Sequence, residues 1–161
     1  MSVLRPLRHD DLDALLELQG EGAVLGLGHL FPQDAYPFPT QRVRSRWSIE
    51  IDDPAVDCFA IVTESGLGGF AATQGEELLH FGTAVHTWGR GLADTAHGEV
   101  LAHLRAQGYG TAWLRVFEEN HRAVRFYTRR GWTATDVTSL TTFAPYPVLR
   151  RYEIGLDRPT R

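Results

Sequence analysis

Apolar residues recur with helical spacing in the first quarter of the chain. Four leucines mark the buried face of a first predicted helix: Leu12, Leu15, Leu16 and Leu18. Asp10 or Asp11 would cap this helix, and a short strand over residues 2–7 precedes it. The glycines that follow it end the helical pattern, and prolines make residues 29–40 an irregular, aromatic-rich loop.

A second helix is predicted from Thr40 to the Asp52-Asp53-Pro54 stop. Val43, Trp47 and Ile51 mark its inner face, and three arginines lie mostly outside that face: Arg42, Arg44 and Arg46. The spacing then changes to that of strands. Three strands are predicted, over residues 58–64, 70–74 and 77–85. Glycine turns at 66–69 and at Gly75 separate them, which predicts an antiparallel meander.

Helices and strands alternate in the C-terminal half. One apolar residue in every four predicts a third helix, ending at Gly108: Leu92, Ala96, Val100 and Leu104. A strand over 111–117 follows, and Asn120 can cap a fourth helix that runs to Arg130. A strand over 132–137, a proline turn and a last strand over 148–156 complete the chain.

Composition indicates one folded domain over residues 1–161, since 43% of the residues are hydrophobic and the length is that of a single core. The net charge of −4 has no long basic block, so a nucleic-acid partner is not expected. No apolar stretch is long enough for a membrane span, so no membrane association is expected and the cytoplasm is the default location. Cys58 is the single cysteine, which excludes an intrachain disulfide and a cysteine-rich metal site, and its apolar setting predicts a buried core residue.

Two glycines flank Arg90 where the predicted fourth strand gives way to the third helix. The free N–H groups of a helix N-terminus attract anions, and glycines at 89 and 91 would let an oxygen-rich group approach the backbone. A phosphate or pyrophosphate is the natural ligand of such a turn. An ordinary turn that needs glycine for positive φ explains the same pattern.

The sequence at this turn does not match either of two nucleotide-binding motifs. The dinucleotide fingerprint lacks its third glycine, because position 94 is Asp, and too few residues follow the strand over 111–117 to complete that fold. A P-loop is excluded because no Gly-Lys-Ser/Thr sequence follows.

The sequence resembles the GCN5-related N-acetyltransferase (GNAT) family in two motifs. The run Trp88-Gly89-Arg90-Gly91-Leu92-Ala93 matches the signature R/Q-x-x-G-x-G/A from Gly91 onward, with Trp88 in place of the usual Arg or Gln. The run NHRAVRFYTRRGW, residues 120–132, matches N-x-x-A-x-x-F-Y-x-x-x-G-F, with Trp132 in place of the last Phe. The resemblance implies an α/β (α+β) fold with a mixed, mostly antiparallel sheet of six or seven strands, about four helices, and splayed fourth and fifth strands.

The resemblance also implies an enzyme that uses acetyl-CoA or another acyl-CoA as co-substrate, without a metal. The pyrophosphate would lie at the glycine turn, and a main-chain N–H near Thr83 to Val85 would polarise the thioester carbonyl. The residues implied in cofactor binding are Thr83, Ala84, Val85, Trp88, Gly89, Arg90, Gly91, Leu92, Ala93, Asn120, Ala123 and Phe126. An N-cap role alone also explains Asn120.

Acyl transfer needs a proton acceptor for the amine and a proton donor for the thiolate. Tyr127 matches the family tyrosine near the CoA sulfur and is the predicted general acid. Glu77 and His80, on the predicted fourth strand, are the candidate bases. Water chains replace a fixed base in some family members, so the base stays open.

The acceptor is expected between the splayed strands and the loop after the first helix. Phe31, Tyr36 and Phe38 would line this site, and Glu118 would attract a cationic acceptor. We therefore expect an N-acetyltransferase acting on a primary amine, of a small molecule rather than a protein. A non-catalytic acyl-CoA-binding sensor is the alternative, and pairing of the last strands predicts a homodimer.

Overall fold

A computed structural model describes residues 2–156. Its strands are β1 (Leu4–Pro6), β2 (Val56–Thr63), β3 (Gly66–Gln74), β4 (Glu77–Thr83), β5 (Thr111–Phe117), β6 (Thr133–Leu140) and β7 (Val148–Gly155). Its α-helices are α1 (Leu12–Leu27), α2 (Thr40–Asp52), α3 (Leu92–Ala106) and α4 (His121–Arg129). The order of helices and strands is the one that the sequence pattern predicts.

All seven strands form one sheet in the order β1-β2-β3-β4-β5-β7-β6. Neighbouring strands are antiparallel except for β4 and β5, which are parallel. The predicted mixed, mostly antiparallel sheet with four helices is confirmed. Because β7 lies between β5 and β6, the edges of the sheet are β1 and β6. Homodimer formation stays a prediction.

Each face of the sheet carries its own apolar core. On one face, α1 and α2 pack against the strands through residues such as Leu15 and Trp47, both fully buried. On the other face, α3 and α4 contribute Val100, Leu104 and Tyr127. The helix pairs are therefore segregated, and a group that passes through the sheet would meet both of them.

The sheet opens between β4 and β5. Their single paired position is Glu77 with Trp113, near the start of β4, whereas β3 and β4 pair along the whole length of β4. Beyond that position the two parallel strands separate toward Thr83 and Phe117. The splayed fourth and fifth strands of the expected fold are thus present.

Two structural features predicted from glycines differ in the structure: the end of α1 and the turn before β3. The α1 helix continues through Gly20, Gly22 and Gly26 to Leu27, and at Gly20 an added Cβ would lie 3.3 Å from the Phe38 ring. Glycine there lets the loop aromatic pack on the helix. The predicted turn at 66–69 is wrong, because these residues belong to β3 and the turn lies at residues 64–65.

Two other details depart from the sequence pattern. Asp11 forms no cap hydrogen bond to α1; its carboxylate instead accepts from the Arg8 N–H at 2.9 Å and from Arg5. Cys58 is half-buried, and burial raises the pKa of its thiol to about 12.

No helix within residues 2–156 is both long and apolar enough to cross a membrane.

Close contact between β3 and β4 requires glycine at position 69. A Cβ at Gly69 would lie 2.4 Å from the Gly82 carbonyl oxygen, which belongs to the backbone and cannot turn aside. We expect Gly69→Ala to lower the free energy of unfolding by about 2 to 3 kcal/mol, since overpacking forces the strands apart. Urea denaturation measures this change.

Gly98→Ala is the matched control, because Gly98 is exposed inside α3 and an added Cβ meets nothing within 4 Å. There alanine should stabilise by roughly 0.5 to 1 kcal/mol, since it loses less backbone entropy than glycine on folding. Equal stability of Gly69→Ala and the unmodified protein would contradict the tight strand contact.

Candidate active site

A cavity of about 730 Å³ occupies the opening between β4 and β5. Its wall includes every residue of β4 and the second half of β5, together with residues from α1, α2, α4 and the loop before β7. It therefore connects the α1/α2 face of the sheet with the α3/α4 face.

The glycine turn, residues 88–91, precedes α3 at one end of this cavity. Gly89 and Gly91 have φ values of 78° and 85°, and Gly91 is the N-cap of α3. A Cβ on either glycine would meet no atom within 4 Å, so glycine is needed for the backbone and the space outside the turn is open. The first N–H groups of α3, at residues 92–94, have no partner within the helix and face that space.

Trp88 links the turn to β4 and α4. Its indole N–H donates to the Thr83 carbonyl at 3.1 Å, and the Arg122 guanidinium lies 3.4 Å from its ring centroid. The residue that departs from the family signature therefore has a structural role through its side chain. It fixes the turn against the end of β4 and holds Arg122 beside the cavity.

The backbone of β4 presents donors to the opening. The Ala84 N–H donates to the Gly68 carbonyl of β3 at 2.8 Å and is thereby occupied. Because successive N–H groups of a strand point to opposite sides, the Thr83 and Phe81 N–H groups point away from β3, toward β5. Phe81 is a cavity residue that the sequence analysis missed.

A β-bulge in β4 determines where His80 points. Ala72 pairs with His80 and Thr73 with Leu78, which leaves Leu79 as the extra residue. Leu78 and Phe81 pack with the α3/α4 core, whereas Leu79 packs with the α1/α2 core. His80 lies on the same face as Leu79, and its ring centroid is 4.8 Å from that of Trp47. Without the extra residue, simple alternation would put His80 on the same face as Leu78.

His80 is held by a carboxylate from α2. Its Nε2 lies 2.8 and 3.0 Å from the two oxygens of Glu50. Burial lowers the pKa of His80, and the hydrogen bond to Glu50 acts in the opposite direction. Since a carboxylate only accepts, Nε2 carries the proton of the neutral ring and the lone pair is on Nδ1.

Glu77 lies at the single paired position of β4 and β5. Its carboxylate is 3.7 Å from the Arg115 guanidinium and is largely buried. Burial raises the pKa of Glu77, and the charge of Arg115 opposes that rise. Glu77 and His80 both line the cavity, as does Tyr127.

The fourth helix contributes the opposite wall. The Asn120 side chain accepts from the Ala123 N–H at 3.3 Å, which caps the helix, and the Phe126 ring stacks on Phe81 at 5.9 Å. Tyr127 packs edge-on between Phe126 and Trp132. It is 7% exposed, and burial raises the pKa of its phenol far above the ordinary value.

Three of the four predicted acceptor-site residues line the cavity: Phe31, Tyr36 and Phe38. Phe31 packs edge-on against Phe117 of β5 at 5.6 Å. Glu118 differs, since it is not among the lining residues in the described part of the chain. Its carboxylate is paired with Arg150 of β7, 2.9 Å from Nε.

Two arginines of the cavity wall were not predicted as site residues. Arg42 and Arg46 were expected mostly outside the inner face of α2, yet both line the cavity. Their spacing of four residues was the available signal, because such residues lie on one side of a helix. The Phe143 ring, which both guanidiniums flank, comes from the loop between β6 and β7.

Residues 2–133 match the family model for the acetyltransferase (GNAT) domain. The chain belongs to the GNAT family. It is accordingly an acyltransferase, and members of this family use acetyl-CoA. No curated protein matches the chain significantly.

Several solved structures share the fold of this chain. The spermidine N-acetyltransferase of Vibrio cholerae, in complex with CoA and spermine, is 19% identical, with a TM-score of 0.70 over 95% of this chain and 94% of that one. YjaB of Escherichia coli, in its apo form, is 18% identical, with a TM-score of 0.71 over 92% and 95%. A GCN5-related N-acetyltransferase of Rhodopseudomonas palustris is 14% identical, with a TM-score of 0.70 over 96% and 97%.

The Asn120 side chain has a structural role that stability measurements can isolate. We expect Asn120→Ala to lower the free energy of unfolding by about 1 kcal/mol, because the Ala123 N–H loses its acceptor. Asn120→Asp retains a cap acceptor and should stay within a few tenths of a kcal/mol of the parent. Urea denaturation compares the three proteins, and an unchanged Asn120→Ala protein would show that the cap bond contributes nothing.

Proposed function

We propose that this protein is an N-acetyltransferase that moves an acetyl group from acetyl-CoA to a primary amine of a small molecule. The observation that carries the proposal is the cavity through the sheet. It joins the α3 N-terminus and Tyr127, on one face, with Glu77 and His80, on the other. Donor and acceptor can thus approach from opposite faces and meet between β4 and β5.

The donor side fits a pyrophosphate. Open space lies over Gly89 and Gly91, and the free N–H groups of residues 92–94 and the positive end of the α3 dipole face it. Arg90 adds positive charge. We propose that residues 88–93 hold the pyrophosphate and that the acyl-carrying arm lies along residues 83–85, with Asn120, Ala123 and Phe126 opposite. When bound, acetyl-CoA supplies an acetyl group activated as a thioester.

Backbone donors would stabilise the charge that develops on the thioester oxygen. The Thr83 and Phe81 N–H groups point into the opening, and the strand fixes their direction before substrate binds. Fixed donors stabilise such charge without reorganisation. The Ala84 N–H is engaged by Gly68, so within residues 83–85 Thr83 is the better candidate.

His80 is the better of the two candidate bases. Its lowered pKa keeps the ring uncharged at neutral pH, and the hydrogen bond to Glu50 directs the Nδ1 lone pair. Glu50 would also stabilise the imidazolium that forms when Nδ1 takes a proton. Glu77, whose pKa is raised by burial, is a second acceptor on the same wall.

Tyr127 would protonate the leaving group. As the bond from the amine nitrogen to the acetyl carbon forms, the bond from that carbon to sulfur breaks, and the sulfur takes the phenolic proton. The amine proton goes to His80, which releases it to solvent, and solvent returns a proton to the phenolate. Because burial raises the pKa of Tyr127, its proton is present at every pH at which the protein would operate.

The wall on the α1/α2 face would receive the acceptor. Phe31, Tyr36 and Phe38 give it an aromatic surface, and the proposed base lies at its centre. The cavity volume suits a small molecule, since typical small-molecule sites measure about 300 to 1,000 Å³. Residues 1–161 would act as one acyltransferase domain.

Replacement of Tyr127 tests the acid. We expect Tyr127→Phe to lower kcat for amine acetylation about 100-fold, with little change in acetyl-CoA affinity, because only the phenolic proton is removed. Chromatography of free CoA and acetylated amine, over a panel of amines, gives kcat. Titration calorimetry gives the affinity.

Tyr109→Phe is the matched control, since Tyr109 packs against the α3/α4 core outside the cavity lining. Its kcat should equal that of the parent. Full activity of Tyr127→Phe would remove Tyr127 from the mechanism. Saturable acetyl-CoA binding without turnover of any amine would instead favour the non-catalytic sensor.

A further inference from the structure

Two arginines stand at the acceptor end of the cavity. Arg42 and Arg46 lie one turn apart on α2, and their guanidinium carbons are 4.2 and 5.9 Å from the centroid of the Phe143 ring. Both line the cavity, on the face that carries His80 and Glu77. The two positive charges repel each other, since Arg42 adds to the lowering of the Arg46 pKa that burial causes, and a nearby negative group would offset that repulsion.

The neighbouring carboxylates are largely engaged elsewhere. Both oxygens of Glu50 accept from His80, and Arg46 Nε lies 3.5 Å from one of them without forming a hydrogen bond. This Nε is buried and has no hydrogen-bond partner among the described residues. Burial lowers the pKa of Arg46, Glu50 partly offsets that shift, and Arg42 adds to it.

Arg42 has weaker partners still. Within the described residues its polar contacts are the Thr142 carbonyl oxygen at 3.5 Å and the Thr142 hydroxyl at 3.4 Å, both at the limit of a hydrogen bond. Glu77 is the single acidic residue in the cavity lining of this part of the chain, and it faces Arg115. The acceptor end therefore has an excess of positive charge.

We infer that the acceptor is a small primary amine that also carries a carboxylate, and that Arg42 and Arg46 bind this carboxylate. The inference rests on the proposed function and names the substrate class of the same site. A guanidinium fork matches the two oxygens of a carboxylate, and charge-assisted hydrogen bonds of this kind are strong. Glu50 compensates part of the positive charge at this end, and the carboxylate of the ligand would compensate more of it.

The position of the arginines limits the distance between the amine and the carboxylate. Glu50 Oε1 lies 3.0 Å from His80 Nε2 and 3.5 Å from Arg46 Nε, so the proposed base and the arginine adjoin. The amine would approach Nδ1, on the other side of the imidazole ring from Glu50, so the amine and the carboxylate are several bonds apart, within the span of a small amino acid. Phe31, Phe38 and Phe143 offer an apolar surface to the rest of the molecule.

A polyamine is a poor match for this wall. Its several positive charges would face Arg42, Arg46 and Arg115 with Glu77 as the one acidic lining residue of the described part. The Vibrio cholerae structure contains spermine, and this chain shares the fold of that protein at 19% identity. The fold is common to both proteins, whereas the charge of the acceptor wall is a property of individual side chains.

The test compares matched acceptors. Transfer from acetyl-CoA is followed by chromatography for each primary-amine amino acid, for its carboxamide, and for spermidine and spermine. We expect an amino acid to exceed its own carboxamide in kcat/KM by about 10-fold or more, which is the range for a charge-assisted hydrogen bond. Spermidine or a carboxamide turned over as well as every amino acid would overturn the inference and leave the proposed function standing.

Three variants locate the effect. Arg42→Gln should raise KM for the amino acid about 10-fold, and should raise KM for its carboxamide much less, because the carboxamide has no charge to pair with the guanidinium. Arg42→Lys keeps the charge without the guanidinium fork, so its KM for the amino acid should lie between those of the parent and of Arg42→Gln. Arg44→Gln is the matched control on the same helix, because Arg44 pairs with Asp13 and does not line the cavity. An equal response of Arg42→Gln and Arg44→Gln would contradict a carboxylate at Arg42.

A binding measurement decides the matter if no amine is acetylated. With CoA present, N-acetyl amino acids should raise the melting temperature of the parent but not of Arg42→Gln, and N-acetylspermidine should raise neither. That result, with no turnover, would refute the proposed function and support the carboxylate site. No rise with any N-acetyl amino acid would refute the site itself.

Discussion

The architecture depends on the separation of two parallel strands that remain paired at one point. Every other neighbouring pair in the sheet is antiparallel, and β4 and β5 share the single position Glu77 with Trp113. Backbone groups that lose a sheet partner need another one, so an opening of this kind creates a demand for a ligand with its own donors and acceptors. The indole of Trp88 meets part of that demand at the Thr83 carbonyl. The cavity, the glycine turn and the candidate base are all arranged around this opening.

The shape of β4 explains why one short strand serves both faces. Gly69 lets β3 approach β4 closely, and the bulge at Leu79 shifts the alternation by one residue. Phe81 then points to the α3/α4 face and His80 to the α1/α2 face. The proposed roles of donor and acceptor sides follow from that division. The charge of the acceptor wall is set separately, by side chains of α2, which allows one fold to serve different amines.

Local patterns predicted the helices, the meander and the glycine turn, because periodicity and turn chemistry act over a few residues. The motif at 120–132 pointed to Asn120 and Tyr127, and both line the cavity. The bulge at Leu79 was not predictable, since it depends on register with β3, and Gly66 to Gly69 looked like a turn because close packing also selects glycine. Arg42 and Arg46 were misjudged for a related reason. A cavity gives charged side chains an inward position that an amphipathic pattern assigns to solvent.

We propose that CoA lies in the opening between β4 and β5, with its pyrophosphate at the α3 N-terminus. Amide hydrogen exchange, resolved by residue with and without saturating CoA, measures which backbone amides the bound CoA protects. We expect slower exchange at the Phe81 and Thr83 amides and at residues 92–94, with no change along the edge strand β6. Saturable binding of CoA that leaves the Phe81 and Thr83 amides unprotected would refute this placement.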